Sequence, residues 1–289
     1  MNESAFIEAL KALAAHPGAR GFEDDCAAIE IGGETLVLTH DMMVEGVHVL
    51  PGQDPADIAW KLVAVNLSDL AAKGAEPVGV LLGHMLGDGD ARFVDGLREV
   101  LETYHVPLLG GDTVRGDARR AWGLTAIGRA THRPVPSRTG ARPGDTVYLT
   151  GALGAALAGF EALRDGTGGD STAYRRPRPL LAEGRTLAPV VTAMMGVSDG
   201  VLLDARRMAL ASSATFALDT AAIPIALPEH RRADTLRWGD DYQLLFTAPA
   251  ALALPVAAHA IGTVLALGDA PLLLDGAPPA PDDPLGYQH

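Results

Sequence analysis

The chain has a single cysteine, Cys26, in 289 residues. One thiol excludes an internal disulfide framework and a cysteine cluster for zinc; it fits a reducing compartment and makes Cys26 a small core residue. Aromatics are sparse at 5 % while glycines number 33, so the core must be built mainly from small aliphatics. Cations are also few: 23 Lys and Arg against 36 Asp and Glu give a formal charge of −13. With no basic run, no nucleic-acid partner is expected, because binding a phosphate backbone needs a concentrated cationic surface. No stretch approaches the ~18 uninterrupted apolar residues of a membrane helix. Glu3 and Glu8 interrupt any leader-like apolar segment, so the expectation is a soluble cytoplasmic protein with no membrane contact.

What is present is enough chain for two domains, with 48 % hydrophobic residues. Phe6, Ile7, Leu10 and Leu13 mark an amphipathic first helix. From Gly21 to Arg129 the order is strand (CAAIEI), strand (ETLVLTHD), long helix (PADIAWKLVAVNLSDLAAKGA), strand (VGVLLGHML), helix (ARFVDGLREVLETY), strand (PLLGGD) and strand (AWGLTAIGRA). This alternation predicts an α/β (α+β) fold. The Pro- and Gly-rich THRPVPSRTGARPGD then places a boundary near 131–145, giving domains 1–135 and 136–289. The second half alternates again: a helix after Gly151, a helix over 180–190, a helix after SDG, and strands TFALD, YQLLFTA and AIGTVLAL. The polar segment 165–179 reads as a mobile loop or lid. LVLTHD and WGLTAIG are the candidates for edge-strand pairing.

Five short acidic motifs carry the chemistry: EDDCA (Asp24, Asp25), THD (Asp41), NLSD (Asp69), LLGGDT (Asp112) and VSDG (Asp199). Each acid closes or follows an apolar run, which puts it at the mouth of a buried element. Several such mouths converging make an oxygen-only cage suited to Mg2+, which shares its shell with phosphates. Each motif also has a plainer reading. Asn66, Asp69 and Lys73 lie on one helical stripe that is either solvent-exposed or edges a site. Gly110 and Gly111 permit a close approach to a ligand or simply a turn. Ser198 and Asp199 suit helix capping as well as ligand binding. Arg138 is a phosphate clamp or a solvated linker residue, and His48 a phosphate donor or a structural histidine. No P-loop and no protein-kinase motif set occurs, so a nucleotide site must be of another design.

Taken in order, GFEDDCAAI, LTHDMMVEGVHV, WKLVAVNLSDLAAKGAEP, LLGGDTVRG, SRTGARPGDTVYLTG, VSDGV and WGDDYQLLFTAP resemble the thiamine-monophosphate kinase family of the aminoimidazole-ribonucleotide-synthetase-like superfamily. The resemblance implies an N-terminal sheet that forms a barrel in a homodimer and a C-terminal α/β domain closing over the nucleotide. It implies phosphorylation of thiamine monophosphate by ATP. Mg2+ would be held by Asp25, Thr39, His40, Asp41, Asp69, Asp112 and Asp199; ATP would face Gly111, Asp112, Arg138 and Ser198; the thiamine substrate would meet His48, Asp240 and Tyr287. No general base is implied, since a phosphate oxygen needs little activation.

Three positions depart from the family pattern. Gly196 stands where I-D-x-S-D-G carries an acid, His40 replaces the middle residue of S-T-D, and WGDDYQL replaces G-G-E-D-Y-E-L, so that Asp240 is one methylene shorter than glutamate and Trp238 occupies a glycine position. The alternatives these raise are a non-catalytic paralogue that binds nucleotide or thiamine phosphate, and a superfamily relative using another acceptor.

Overall fold

A computed structural model describes residues 3–116 and 119–287. In chain order the elements are α1 (Glu3–Lys11), β1 (Ala27–Ile31), β2 (Glu34–Val44), α2 (Pro55–Ala72), β3 (Ala75–Met85), α3 (Asp90–Tyr104), β4 (Leu108–Val114), β5 (Ala121–Ala130), β6 (Asp145–Leu149), α4 (Ala155–Arg164), α5 (Thr172–Arg175), α6 (Leu181–Leu187), β7 (Ala193–Gly196), α7 (Val201–Ala211), β8 (Ala214–Leu218), α8 (Arg232–Arg237), β9 (Leu244–Pro249), β10 (His259–Ala266) and β11 (Leu272–Leu274).

Helix α2 organises the molecule. Asp54 caps it by accepting from the Ala56 N–H at 3.0 Å, Pro55 fits the first turn where no N–H is needed, and the chain leaves it through Gly74 at φ +58°. Fifteen of its eighteen residues are buried, as expected of a helix apolar around most of its circumference. It packs on β2, β3 and β5, on α3, and on α6 and β7 from the second half. Helix α6 approaches so closely that a Cβ on Gly184 would stand 1.9 Å from the Ala71 carbonyl oxygen.

The first sheet has the order β1-β2-β5-β3-β4 and is antiparallel except for the β3–β4 pair, which α3 connects as a crossover. Alternation along β2 turns Val37, Thr39 and Met43 inward while His40 and Met42 are exposed. The second sheet has the order β11-β8-β10-β6-β9-β7, antiparallel except for β11–β8. Its core includes Val147, Met195, Phe216 and Ile261.

The sheets therefore change over between Ala130 and Asp145. Cys26 is buried, and burial pushes its thiol up. Two expectations need correction. LVLTHD and WGLTAIG lie in β2 and β5, which are interior strands; the edges are β1 and β4. Only the first part of segment 165–179 is an exposed loop, over 165–170; the rest is packed down, since it contains α5, Tyr174 is buried, Arg175 and Arg176 pair with Asp57 of α2, and the Trp60 Nε1–H donates to the Pro177 carbonyl at 3.2 Å. Among the described residues no helix is long and apolar enough to cross a membrane.

Candidate active site

A cavity of about 670 Å³ opens where α2 and β2 face the loops of the second half; its walls include Asp25, Asp41, His48, Asp69, Arg138, Ser198, Asp199, Asp240 and Tyr287. Nine residues singled out from sequence thus share one wall. The cavity has an acidic end and an aromatic end.

At the acidic end, the inward pleat of β2 meets the buried stripe of α2. Thr39 Oγ1 donates to Asp69 Oδ2 at 2.6 Å. Asn66 accepts the Asp41 N–H through Oδ1 at 3.2 Å and donates from Nδ2 to the Leu62 carbonyl at 2.9 Å. The stripe of Asn66, Asp69 and Lys73 is consequently interior, not solvated. Lys73 is fully buried and its ammonium holds Asp24, which Arg20 holds from the other side. Burial opposes the charge of Asp24, yet Lys73 and Arg20 keep its carboxyl below the usual range. Asp41 and Asp69 lack such a cation in contact. Burial, then the charges of Asp25 and Asp199, push Asp41 up to about 6; burial, then Asp41 and Asp25, push Asp69 well above the ordinary carboxyl value. Crowded acids of this kind store mutual repulsion that an added cation relieves.

The acids are not a finished cage. Among the described residues no three His, Cys, Asp or Glu side chains are gathered closely enough to hold a metal on their own. Asp25 is forked by Arg138, so Arg138 is a bridge to the first half and not a solvated linker residue. Asp112 lies on β4, exposed along its whole length, and is not part of the cavity wall. The close approach at Gly111 is to strand β3: a Cβ there would stand 1.9 Å from the Leu82 carbonyl oxygen. His40 points to the other face of the sheet, where its Nδ1 meets Thr125 Oγ1 at 2.9 Å; strand alternation separates its imidazole from Thr39 and Asp41.

The VSDG segment does not cap α7. Gly200 occupies the cap position without a side-chain bond, and Asp204, from the helix itself, reaches back to accept the Ser198 and Asp199 N–H groups at 3.0 and 3.1 Å. Burial and then Asp199 push Asp204 up to about 7. Asp199 pairs with Arg207. At Gly196, a Cβ would stand 3.5 Å from Ser68 Oγ, a buried hydroxyl that has no hydrogen-bond partner.

At the other end stand Phe160, Tyr174, Trp238, Tyr242 and Tyr287. Phe160 packs against Trp238 with centroids 4.8 Å apart and edge-on to Tyr174 at 5.4 Å. His48 Nδ1 accepts the Val44 N–H at 3.1 Å, which directs a neutral ring's proton to Nε2. Asp240 and Tyr242 hold positive φ values of 65° and 49°, a strain typical of functional loops. Their N–H groups donate to the Ser198 and Val197 carbonyls at 2.9 Å each, and the Tyr287 N–H to the Asp199 carbonyl at 2.8 Å. Three segments distant in sequence are thereby tied into one rim. Sequence reasoning passed over Lys61, Tyr174, Asp204, Arg207 and Tyr242; the motif WKLVAVNLSD contained Lys61, but a lysine on a helix reads as solvated until its burial is seen.

Such a cavity can hold a polyphosphate through cations at one end and a flat organic ring at the other. Residues 23–130 match the family model described as AIR synthase related protein, N-terminal domain. Thiamine-monophosphate kinase of Escherichia coli strain K12 is 38 % identical over 252 residues, 79 % of this chain and 76 % of that one. The Halobacterium salinarum thiamine-monophosphate kinase is 33 % identical over 307 aligned residues that span 100 % of both chains. Among solved structures, AaThiL complexed with AMPPCP and TMP gives a TM-score of 0.88 at 26 % identity, covering 100 % of this chain and 97 % of the other. Thiamine monophosphate kinase from Aquifex aeolicus gives 0.83 at 25 %, covering 96 % and 99 %. Hydrogenase maturation protein HypE in complex with ATP, at 0.72 and 19 % over 91 % and 88 %, shares the fold. With this identity sustained over most or all of both chains, the chain belongs to the thiamine-monophosphate kinase family.

Proposed function

We infer that this protein transfers the γ-phosphoryl group of ATP to the phosphate of thiamine monophosphate, forming thiamine diphosphate. The observation that carries this is the shared cavity, acidic at one end and aromatic at the other, in a chain of this family. The relative AaThiL, complexed with AMPPCP and TMP, supports the pairing of nucleotide and thiamine phosphate.

Both reactants are polyanions, so charge must be neutralised before they meet. The oxygen-only donors and the unpaired, mutually repelling carboxyls of Asp41 and Asp69 fit Mg2+. We assign Mg2+ to Asp25, Thr39, Asp41, Asp69, Asp112 and Asp199, with His40 contributing only through its main chain. Bound Mg2+ supplies charge neutralisation and orientation of phosphate oxygens. ATP is assigned to Gly111, Asp112, Arg138 and Ser198, Arg138 contributing a guanidinium fork suited to phosphate. His48, Asp240 and Tyr287 are assigned to the thiamine moiety. Transfer of this kind rests on positioning and charge stabilisation, and the acceptor is already an oxyanion, so no general base is assigned. Residues 1–135 and 136–289 act as two domains joined at the sheet changeover, in a cytoplasmic homodimer; the buried single cysteine and the exposed apolar edge at β4 support these last two readings.

The test is a coupled assay of purified protein with Mg-ATP and thiamine monophosphate, with thiamine and aminoimidazole ribonucleotide precursors as parallel acceptors. Thiamine diphosphate is expected from thiamine monophosphate alone. Asp41→Asn and Asp112→Asn, each deleting an anionic oxygen at nearly constant size, should lower turnover about a hundredfold or more. Wild-type rates in both would sink the metal assignment, and nucleotide binding without product would favour the non-catalytic paralogue that Gly196 suggests.

A further inference from the structure

Two cations in the cavity wall, Lys61 and Arg237, carry no assigned part in the reaction; Arg237 pairs with Asp283, whereas Lys61 pairs with a residue assigned to the substrate. Lys61 lies on α2 roughly two turns before Asp69, with 2 % of its side chain exposed. Its Nζ donates to Asp240 Oδ2 at 2.8 Å and to the His48 carbonyl at 3.2 Å, and stands 3.9 Å from the centroid of the Tyr174 ring. Tyr174 donates its hydroxyl to the same His48 carbonyl at 3.2 Å. The second oxygen of Asp240 accepts from the Tyr242 hydroxyl at 2.9 Å.

A buried ammonium is costly unless its donors are met and a counter-charge is at hand. Here the counter-charge is a carboxylate that faces the cavity and is itself a quarter exposed, at 25 %. The two anchors hold one oxygen of Asp240 each, while the carboxylate stays accessible from the cavity. Since Asp240 is shorter than a glutamate, its reach is fixed by where these anchors place it. The same ammonium holds the carbonyl of His48, so two of the three residues assigned to the thiamine moiety depend on it.

We propose that Lys61 is a positioning residue for the acceptor: acting through Asp240 and the His48 main chain, it sets the place of the carboxylate that meets N–H donors of a heterocyclic phosphate ester. The inference rests on the kinase reading and deepens it. It concerns the acceptor and not the nucleotide, because Lys61 touches Asp240, His48 and Tyr174 and none of the residues assigned to ATP.

The experiment measures KM for thiamine monophosphate and for ATP separately in wild type, Lys61→Met, Asp240→Asn and the double variant. Lys61→Met should raise KM for thiamine monophosphate roughly ten- to a hundredfold, the range of a lost charge-assisted hydrogen bond, while KM for ATP stays within about twofold. The double variant should lose less than the sum of the two single losses, since the Lys61–Asp240 link is broken in all three variants while the Lys61 contact to the His48 carbonyl is lost only with the lysine. An unchanged acceptor KM in Lys61→Met, an equal rise in both KM values, or strictly additive losses would overturn the proposal. Should Lys61→Met fail to fold, Tyr242→Phe removes the opposite anchor of Asp240 and must raise the acceptor KM alone; an unaltered value there overturns the proposal equally. Wild-type protein that leaves thiamine monophosphate untouched would instead remove the kinase reading, and the proposal with it.

Discussion

At the scale of single residues, the departure at Gly196 has a structural counterpart. The family pattern carries an acid there, and in this chain the neighbouring Ser68 hydroxyl is buried without a partner. A Cβ at 196 would make ordinary contact with it at 3.5 Å, and Gly196 is not among the glycines at positive φ. Gly196→Asp should therefore be accommodated, with Ser68 donating to the new carboxylate; its melting temperature should stay within a few degrees of wild type, the span of about 1 kcal/mol in a chain of this size. Titrating the rate with Mg2+ should show a lower half-saturating concentration, and an unchanged Mg2+ dependence would mean that position 196 lies outside the metal shell. Asp41, Asp69 and Asp199 were legible in sequence because each follows an apolar stretch, and Asp25 because it precedes one; these four do line one cavity. Buried cations were not legible. Lys61 and Lys73 sit on a helix whose spacing is compatible with an exposed stripe, and only tertiary packing, through Asp240 and Asp24, reveals that both are interior.

At the scale of elements, helix α4 shows how the rim is tied to the second sheet. Gly154 at its start provides no side-chain cap; the cap comes from Asp241, whose carboxylate accepts from the Gly154 N–H at 2.8 Å and the Ala156 N–H at 3.3 Å. Burial nonetheless pushes the Asp241 carboxyl up to about 7 from an ordinary 3.8, against the lowering effect of those two bonds. The folded state thus binds the proton more tightly than the unfolded one between these values, so stability from this group is greatest below about 4 and falls as pH rises, until the loss is complete above about 7. In Asp241→Asn, which keeps an acceptor and loses the titration, the fall in melting temperature between about pH 5 and 8 should be shallower than in wild type, by the equivalent of at most a few kcal/mol; parallel calorimetric profiles would show that Asp241 stays ionised throughout. The long periodic elements, α2, α3, β2 and β5, were legible from hydrophobic spacing alone. Strand β7 with four residues, β11 with three and α8 with six were not, because runs that short carry too little periodicity and are made by their neighbours in the sheet and core.

At the scale of the whole molecule, the unfinished feature is the edge at β4. Its seven residues are exposed, Leu108, Leu109 and Val114 remain about half accessible, and Met42 and Leu81 extend the apolar surface across the uncovered face of the same sheet. An edge strand with unpaired main-chain groups and apolar side chains invites pairing, and proteins commonly blunt such edges with charge or proline. Among these seven residues the sole charge is Asp112, which is assigned to metal and nucleotide yet lies outside the cavity wall. A two-fold pairing of copies would cover the edge in a closed assembly and avoid open-ended association. Sedimentation should accordingly give a species of twice the 30.0 kDa chain mass, and Leu109→Lys combined with Val114→Lys should convert it to a monomer by placing charge in the seam. Because Asp112 shares this strand, turnover should fall with the dimer in that double variant. A monomer that retains full turnover would detach both the β4 edge and Asp112 from the reaction, leaving the cavity acids of a single chain to carry it.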